Sequence, residues 1–257
     1  MNAAALGQLL VGLAVAIVSA VASLGQSASS SIRLYQADSL WQAGAFAKAL
    51  EVVEAGLQYE HDRAEWLWRR SRLRVEQGLR ASEKAQQRQW YQAALADAQA
   101  AIALDSLNSR AYVAAAIAAG RLALVSHPQA KVEHARQIKA YIDRALFLDP
   151  QNDIAYHLRG RWYYEVATLS ALERAIVKVV YGGLPRASLE QAAADFRQAL
   201  TLKPRVVHYL ELGRTLLRLK QPEAARRALE RALALSPSEP NDSLYQAEAQ
   251  ALLRRLR

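Results

Sequence analysis

The sequence predicts an all-α protein, built as a right-handed superhelical array of antiparallel helix pairs with a capping helix at its C-terminal end. Two observations support this prediction: a short motif recurs along the chain, and the composition is 52% hydrophobic but only 7% aromatic, with abundant alanine. Alanine favours helices because its side chain loses no entropy there, and its small size lets neighbouring helices approach closely. A chain of 257 residues is long enough to bury a core in such an array.

The recurring motif is a run of small and large apolar residues followed by a residue that stops a helix. The chain contains ALTLKP ending at Pro204 and, 33 residues later, ALALSP ending at Pro237. Earlier versions end at Pro150 and at Ser106. Because proline cannot continue a helix, each version predicts a helix end. Four such endings in phase indicate a helical repeat.

Small residues upstream of these endings, among them Gly44, Gly160 and Gly213, mark where the two helices of a pair are expected to touch. A repeat of about 34 residues with this pattern consists of two antiparallel helices. The predicted pairs span about 33–61, 64–108, 109–152, 153–204 and 205–238, and the predicted capping helix spans 241–256.

The first part of the chain has a different character. No charged residue precedes Arg33, and residues 3–25 are almost wholly apolar or small. Because about 20 apolar residues span a bilayer, we expect an N-terminal apolar helix that anchors the protein in a membrane. A cleaved signal peptide is the alternative, since Ala20-Val21-Ala22 forms a suitable cleavage site.

These observations divide the chain into an anchor or signal segment with its linker, residues 1–31, and a helical repeat domain, residues 32–257. They predict a membrane-anchored or exported protein, which in a bacterium would lie in the cell envelope or periplasm. The side of the membrane that the repeats face stays open.

The fourth pair carries an insertion at about 165–187. Apolar residues at steps of three and four predict that the first helix of the pair continues as one long helix until Gly182-Gly183. These residues are Trp162, Val166, Leu169, Leu172, Ile176 and Val179. Ser188 with Gln191 then predicts a capping box at the start of the second helix.

The repeat pattern resembles the tetratricopeptide-repeat family, and the insertion resembles the regulator of microtubule dynamics family more closely. The resemblance lies in the run G-R-W-x-Y-x-V-x-x-L-S-x-L-E, which begins at Gly160, and in AAADFRQALTLKP, which ends at Pro204. It implies a tetratricopeptide-like domain, often behind an N-terminal membrane segment, that acts in binding or tethering. The chain has Ala171 where the family commonly has a second tryptophan, and its alanine- and arginine-rich composition suggests a prokaryotic relative. Microtubule binding is therefore not carried over.

The sequence offers no catalytic or metal-binding motif. There are no cysteines, and the five histidines lack the spacing of metal ligands. No nucleophile motif or nucleotide-binding loop is present. We therefore predict a protein that is not an enzyme and that needs no cofactor and no metal.

The net charge of +9 favours encounters with acidic partners, which include acidic protein segments, nucleic acid and anionic lipid. One run of basic residues on a helix could serve such binding: Arg69, Arg70, Arg72, Arg74 and Arg80. The preferred interpretation is a solvated helix face offset by Glu65 and Glu76, which makes nucleic acid an improbable partner.

In arrays of this family the first helices of successive pairs line a concave groove. The positions that correspond here are Trp41, Trp68, Arg72, Arg121, His157, Arg161, Tyr164, Leu210, Arg214 and Arg218. Arginine forks onto carboxylates and stacks on aromatic rings, so this mixture suits a protein or peptide partner that is acidic. The prediction is a non-catalytic interaction scaffold or tether; a basic surface binder of nucleic acid or anionic lipid is the alternative. The partner's identity and the oligomeric state stay open.

Overall fold

The computed structural model describes residues 31–59 and 61–256, and within them it contains twelve helices and no strand. The described part of the first helix, α1, covers 31–42. The others are α2 Phe46–Tyr59, α3 Arg63–Arg80, α4 Lys84–Leu104, α5 Ser109–Leu124, α6 Pro128–Leu148, α7 Asp153–Ala167, α8 Ala171–Tyr181, α9 Leu189–Leu202, α10 Val206–Arg218, α11 Pro222–Ala234 and α12 Asp242–Arg254.

The helices pack as successive antiparallel pairs. The pairs are α1 with α2, α3 with α4, α5 with α6, α7 with α9, and α10 with α11, while α12 covers the end of the array by contacting α10 and α11. The predicted all-α array of helix pairs with a C-terminal capping helix is confirmed. The predicted N-terminal apolar helix, residues 3–25, lies outside the described residues.

Two equivalent turns show why the pairs begin where they do. The helices before them, α4 and α6, are followed by the C-cap residues Asp105 and Asp149, and three residues later Asn108 and Asn152 cap α5 and α7. The Asn152 side-chain oxygen accepts a hydrogen bond from the Ala155 amide at 3.0 Å, which satisfies a donor that the first helical turn cannot pair. Each of these four-residue turns therefore contains both the residue that ends one helix and the residue that caps the next.

The two helices of a pair touch at positions with little or no side chain. Ala101, Ala145, Ala199 and Ala232, which belong to the recurring motif, are all fully buried. On the opposing helices glycine allows the same close approach, since a Cβ added to Gly213 would lie 2.6 Å from Leu229. These contacts set the distance between the paired helices.

The insertion differs from the prediction. The expected single long helix is wrong, because α7 ends at Ala167 and α8 is a separate helix. The Thr168 hydroxyl bonds back to the Tyr164 carbonyl, and Ser170 and Glu173 form a complete capping box at the start of α8. The apolar periodicity continues through this break, so it does not reveal it, whereas Ser-x-x-Glu does.

The capping box predicted at Ser188 is present in one direction. The Ser188 hydroxyl accepts a hydrogen bond from the Gln191 amide at 3.2 Å, which starts α9 at Leu189. No reciprocal bond from Gln191 to the Ser188 amide is formed in this described helix start. The segment from Gly182 to Ser188 thus returns the chain from α8 to the second helix of the fourth pair.

Replacing Gly213 by alanine tests the close approach of paired helices. The added Cβ would lie 2.6 Å from Leu229, which is fully buried, so we expect Gly213→Ala to lower the free energy of unfolding by about 1–3 kcal/mol. Gly120→Ala is the matched control, because its nearest neighbour would be 4.0 Å away; there the better helix propensity of alanine should stabilise by up to about 1 kcal/mol. Urea unfolding followed by circular dichroism measures both, and effects of the same sign would contradict the interpretation.

Candidate functional site

The inner surface of the array is formed by the first helices of successive pairs. Helix α3 contacts α5, α5 contacts α7, and α7 contacts α10. Tyr245 of α12 faces the same interior: burial raises the pKa of its hydroxyl, which also senses the charges of Arg121 on α5, Glu76 on α3 and Glu211 on α10. We call the surface formed by these five helices, together with α1, whose Asp38 and Trp41 contact Arg72 of α3, the inner surface.

At its N-terminal end, three of the predicted groove residues form one stack. The Arg72 guanidinium lies 4.2 Å from the ring centroid of Trp41 and 5.2 Å from that of Trp68. Asp38 accepts hydrogen bonds from Arg72 at 2.6 Å and from Arg69 at 2.7 Å. Burial alone would raise the pKa of Asp38, but the two arginines outweigh it and lower this pKa, so the carboxylate stays ionised. The stack is therefore held by a charged anchor.

At the C-terminal end, Arg161 and Arg214 converge on a carboxylate that the sequence did not single out. Glu211 is only 3% exposed, and its Oε1 accepts hydrogen bonds from Arg161 at 2.7 Å and from Arg214 at 2.8 Å. Arg161 also pairs with Glu165 at 2.9 Å, and Arg214 with Glu248 of α12. Both arginines are thus neutralised by the chain itself.

Two other arginines of the predicted groove keep their charge unpaired. Within 31–59 and 61–256, Arg121 forms no salt bridge or side-chain hydrogen bond. The described residues likewise provide no salt bridge for Arg218, which is exposed and whose Nε donates to the Tyr164 hydroxyl at 3.4 Å. These two cations are the ones that remain available to an acidic group from outside.

His157 belongs to a mostly buried network rather than to an open surface. Its Nδ1 lies 3.0 Å from Nδ1 of His208, whose Nε2 is 3.1 Å from Asp153 Oδ2. Burial of Asp153 would raise its pKa, but hydrogen bonds from His208 and Arg205 lower it to about 2. The ionised carboxylate therefore accepts the Nε2 proton of His208, which leaves Nδ1 of His208 to accept the Nδ1 proton of His157.

This arrangement requires the His208 imidazole to be neutral, because a second proton on that ring would occupy Nδ1 and bring it face to face with the N–H of His157. Burial lowers the pKa of His157 well below its usual value, and the nearby His208 and Arg161 lower it further. Burial also lowers the pKa of His208, against the opposing effect of Asp153. Across the described residues, no group of three or more histidine, aspartate or glutamate side chains is placed to hold a metal ion.

Leu210 is a correction to the predicted groove. Its side chain is fully buried and packs with Leu229, Ala249 and Leu253 between α10, α11 and α12. It cannot contact a partner without opening the core. Position counting failed here because the capping helix α12 covers this part of α10.

The basic run is not a free cationic face. Each of its arginines pairs with a carboxylate: Arg69 with Asp38 and Glu65, Arg70 with Asp97 and Glu54, Arg72 with Asp38, Arg74 with Asp97, and Arg80 with Glu76. The predicted offset by Glu65 and Glu76 is therefore present, and three further carboxylates complete it. Because all five charges are compensated, the run offers little to a nucleic acid backbone.

Two salt bridges occur at equivalent positions of the repeat, and the sequence signals both of them. Arg70 precedes the buried Ser71, as Arg159 precedes Gly160, and both arginines bond to an aspartate on the second helix of their pair. Arg70 binds Asp97 and Arg159 binds Asp195, each with a contact of 2.7 Å. Equivalent positions in the second and fourth pairs thus hold the same clamp.

The histidine pair makes stability depend on pH. Both histidines bind protons less readily in the folded chain than in the unfolded chain, so stability is lost as pH falls below about 6.5. The slope approaches at most about 1.4 kcal/mol per pH unit for each histidine. We expect His157→Asn, whose amide can still donate a hydrogen bond to His208, to make the free energy of unfolding depend less steeply on pH between pH 7 and 5. The reduction corresponds to the uptake of one proton fewer on unfolding.

Urea unfolding at several pH values measures this slope. His61→Asn is the control, because it removes an exposed histidine that lies outside the network of His157 and His208. An identical slope in His157→Asn and the wild type would contradict the proposed neutral pair. Asp153 contributes separately, at pH values below about 3.8, as its carboxylate is protonated towards pH 2.

Comparison with known proteins gives relatives that are named regulator of microtubule dynamics protein 1, 2 or 3. A regulator of microtubule dynamics protein 1 from Caenorhabditis elegans is 32% identical over 126 residues, which are 49% of this chain and 56% of the relative. The protein of that name from Bos taurus is 31% identical over 226 residues, 86% of this chain and 70% of the relative. The one from Mus musculus is 29% identical over 242 residues, 92% of this chain and 78% of the relative. The chain thus spans little more than half of the worm protein.

Among solved structures, the chain is similar to a thermophilic tetratricopeptide-repeat protein from Thermus thermophilus. The TM-score is 0.64 at 18% sequence identity, and the match covers 86% of this chain and 99% of that one. At this identity the similarity concerns the fold alone, and it confirms the tetratricopeptide-like array.

The predicted localisation, membrane-anchored or exported in a cell envelope or periplasm, is wrong. The relatives are eukaryotic proteins named as regulators of microtubule dynamics, which is not a class of envelope protein. In the ranges 31–59 and 61–256, no helix is long and apolar enough to cross a membrane. Residues 3–25, on which the prediction rested, lie outside these ranges.

The family comparison covers most of the chain. The sequence model described as regulator of microtubule dynamics protein 1-3 matches residues 33–257, which include all the helix pairs and the insertion with α8. The fold and the names of the relatives are consistent with a protein that is not an enzyme. The chain belongs to the regulator of microtubule dynamics protein 1-3 family.

Proposed function

We propose that this protein is a non-catalytic interaction scaffold that binds a segment of a partner protein at its inner surface. Tetratricopeptide-like folds commonly mediate protein–protein interaction, and the family resemblance agrees with such a role. The observation that carries the proposal is the unpaired charge of Arg121 and Arg218 on a surface where the other predicted groove arginines are neutralised.

The charges of the inner surface indicate what kind of segment fits. Arg72, Arg161 and Arg214 are held by carboxylates of the chain, so a partner gains little by approaching them. Arg121 and Arg218 are free to receive carboxylates, and guanidinium groups bind these with two parallel hydrogen bonds. The proposed partner segment is therefore acidic at a few positions rather than uniformly.

Two partly exposed aromatic side chains of the inner surface add apolar contact. Tyr164 lies beside Arg218, and Trp41 contacts Arg72 at the N-terminal end. Aromatic residues supply large contact areas at low entropic cost, which is typical of residues that dominate binding energy.

The relatives' names make microtubules one acidic partner to test. General binding of nucleic acid or anionic lipid is less favoured, because the basic run of α3 is compensated by carboxylates of the chain.

The test compares partner binding by the wild type with that by Arg121→Gln/Arg218→Gln. Arg161 and Arg214 are left intact, since removing them would leave Glu211 buried and unpaired. Affinity capture identifies partners, and titration of the mapped partner segment or microtubule co-sedimentation measures affinity. We expect about a tenfold or greater loss, because a hydrogen bond to a charged group contributes about 1.5–3 kcal/mol.

The matched control is Arg227→Gln/Arg231→Gln, which removes two exposed arginines from the second helix of the fifth pair. It makes the same change of net charge away from the inner surface. Affinities equal to that of the wild type in both variants would reject the inner surface as the binding site, and an equal loss of affinity in both would attribute binding to net charge instead of to this surface.

A further inference from the structure

On the inner side of the array, the contact between α7 and α10 joins the fourth pair to the fifth through polar side chains. Three residues of α7, spaced one helical turn apart, each bond to α10 or to the residue that precedes it. The pairs are Asp153 with Arg205 at 2.5 Å, His157 with His208 at 3.0 Å, and Arg161 with Glu211 at 2.7 Å. The histidine pair therefore lies at the centre of this contact.

The buried apolar residues of α7 and of α10 belong to different clusters. Ala155 and Trp162 of α7 pack with residues of α5 and α6, whereas Leu212 of α10 packs with residues of α9 and α11. Tyr163 and Tyr164 of α7 reach the second cluster, but both are only partly buried. Within the described residues, no buried apolar side chain of α7 thus shares a cluster with one of α10.

On the outer side, α9 and α10 are joined by apolar contact. Phe196 of α9 and Leu216 of α10 belong to one cluster of buried residues. Helix α9 is itself tied to α7, because Phe196 packs on Gly160 and Arg159 pairs with Asp195 at 2.7 Å. The fifth pair is therefore attached to the fourth by an apolar contact outside and by a polar contact inside. Only the polar contact responds to protonation, which is the arrangement of a hinge.

Charged groups from several elements face the two histidines. They are Asp153 and Arg161 of α7, Arg205 at the start of α10, and Glu239 in the turn before α12. Helix α9 contributes the apolar ring of Phe196, whose centroid lies 5.5 Å from that of His157. Burial is the largest influence on the pKa of both histidines and lowers it, while Asp153 raises it and Arg205 lowers it. In an opened contact, water would surround both rings and restore their pKa to about 6.5.

We propose that the contact between α7 and α10 is the opening side of a hinge, and that proton uptake by His157 and His208 opens it. The fifth pair and α12 then turn away from α7 about the apolar contact of α9 with α10. This inference does not depend on partner binding. Opening would also separate Arg161 from Glu211, and thereby change the C-terminal end of the inner surface.

The direction of the pH dependence follows from the proton balance. The opened state binds protons that the closed state excludes, so the closed state is favoured above about pH 6.5 and loses its advantage as pH falls. Between pH 7 and pH 5, the ratio of opened to closed molecules should rise by up to about 25-fold for each histidine.

Spin labels can measure the distance across the contact, because the chain has no cysteine and two can be introduced at chosen sites. Gln151→Cys/Ser243→Cys places exposed labels before α7 and at the start of α12. Ser106→Cys/Gln151→Cys is the control, since it spans α5 and α7, which stay together in the proposal. By double electron–electron resonance, we expect a second, longer distance across α7 and α10 to gain population from pH 7 to pH 5. The control pair should keep one distance.

The response to pH should depend on the histidine pair. We expect His157→Asn, introduced beside the Gln151→Cys/Ser243→Cys labels, to gain less of the longer distance at pH 5, while the exposed His61→Asn should behave as the wild type. A single unchanged distance at pH 5 in the wild type would overturn the proposal, as would an equal pH response in His157→Asn. Broadening of both label pairs together would overturn it as well, because the whole chain would then be unfolding.

Hydrogen exchange of the unlabelled wild type provides a second measurement should His157→Asn fail to fold. After correction for the intrinsic effect of pH on exchange, protection should fall at the facing surfaces of α7 and α10 and stay constant in α3 to α6. A uniform loss of protection along the chain would reject the hinge.

Discussion

Each helix pair closes where one helix presents almost no side chain to the other. Gly160 faces the ring of Phe196, and Gly213 faces Leu229, at distances that leave no room for a Cβ. Because these contacts set the separation within a pair, they also set where the next pair stacks, and thereby the path of the inner surface. The clamp Arg159–Asp195 bridges the same two helices as the contact of Gly160 with Phe196, and Arg70–Asp97 is its equivalent in the second pair, so packing and charge pairing act on the same helix pairs.

Most charged side chains of the inner surface are paired within the chain, as they are in a protein interior, so this surface is not a uniformly basic groove. Glu211 is nearly buried, and Arg161 of α7 and Arg214 of Glu211's own helix both pair with its Oε1. A buried carboxylate is costly without such partners, and within the described residues the buried Oε2 of Glu211 has no hydrogen-bond partner. The net charge of +9 therefore does not arise from these clusters, and it says more about encounter with partners than about the contacts that hold them.

The sequence predicted the features that depend on local chemistry. Helix stops and caps lie within a few residues of each other, so the motif ending at Pro204 and its copies defined four pairs, and the small residues around Gly44 defined the first. It failed where a periodic pattern crosses a cap, as at Ser170, and where a later helix covers an earlier one, as at Leu210. Sequence analysis did not identify the carboxylates that pair with the groove arginines, because they lie far along the chain: Arg161 pairs with Glu211 fifty residues later. Such pairings depend on how the pairs stack, which a single sequence does not state.

The separate helix α8 has a consequence for the protein's behaviour in a concentrated solution, because none of its residues is buried and its Leu172, Val179 and Val180 are 71%, 82% and 62% exposed. Exposed apolar surface of this kind favours association with any other apolar surface, because its exposure to water costs free energy while no partner covers it. Any partner that covered this surface would remove that liability and, by binding only the folded state, would also shift the folding equilibrium towards it. The solubility and the lifetime of this chain are then linked to how much of its partner is present.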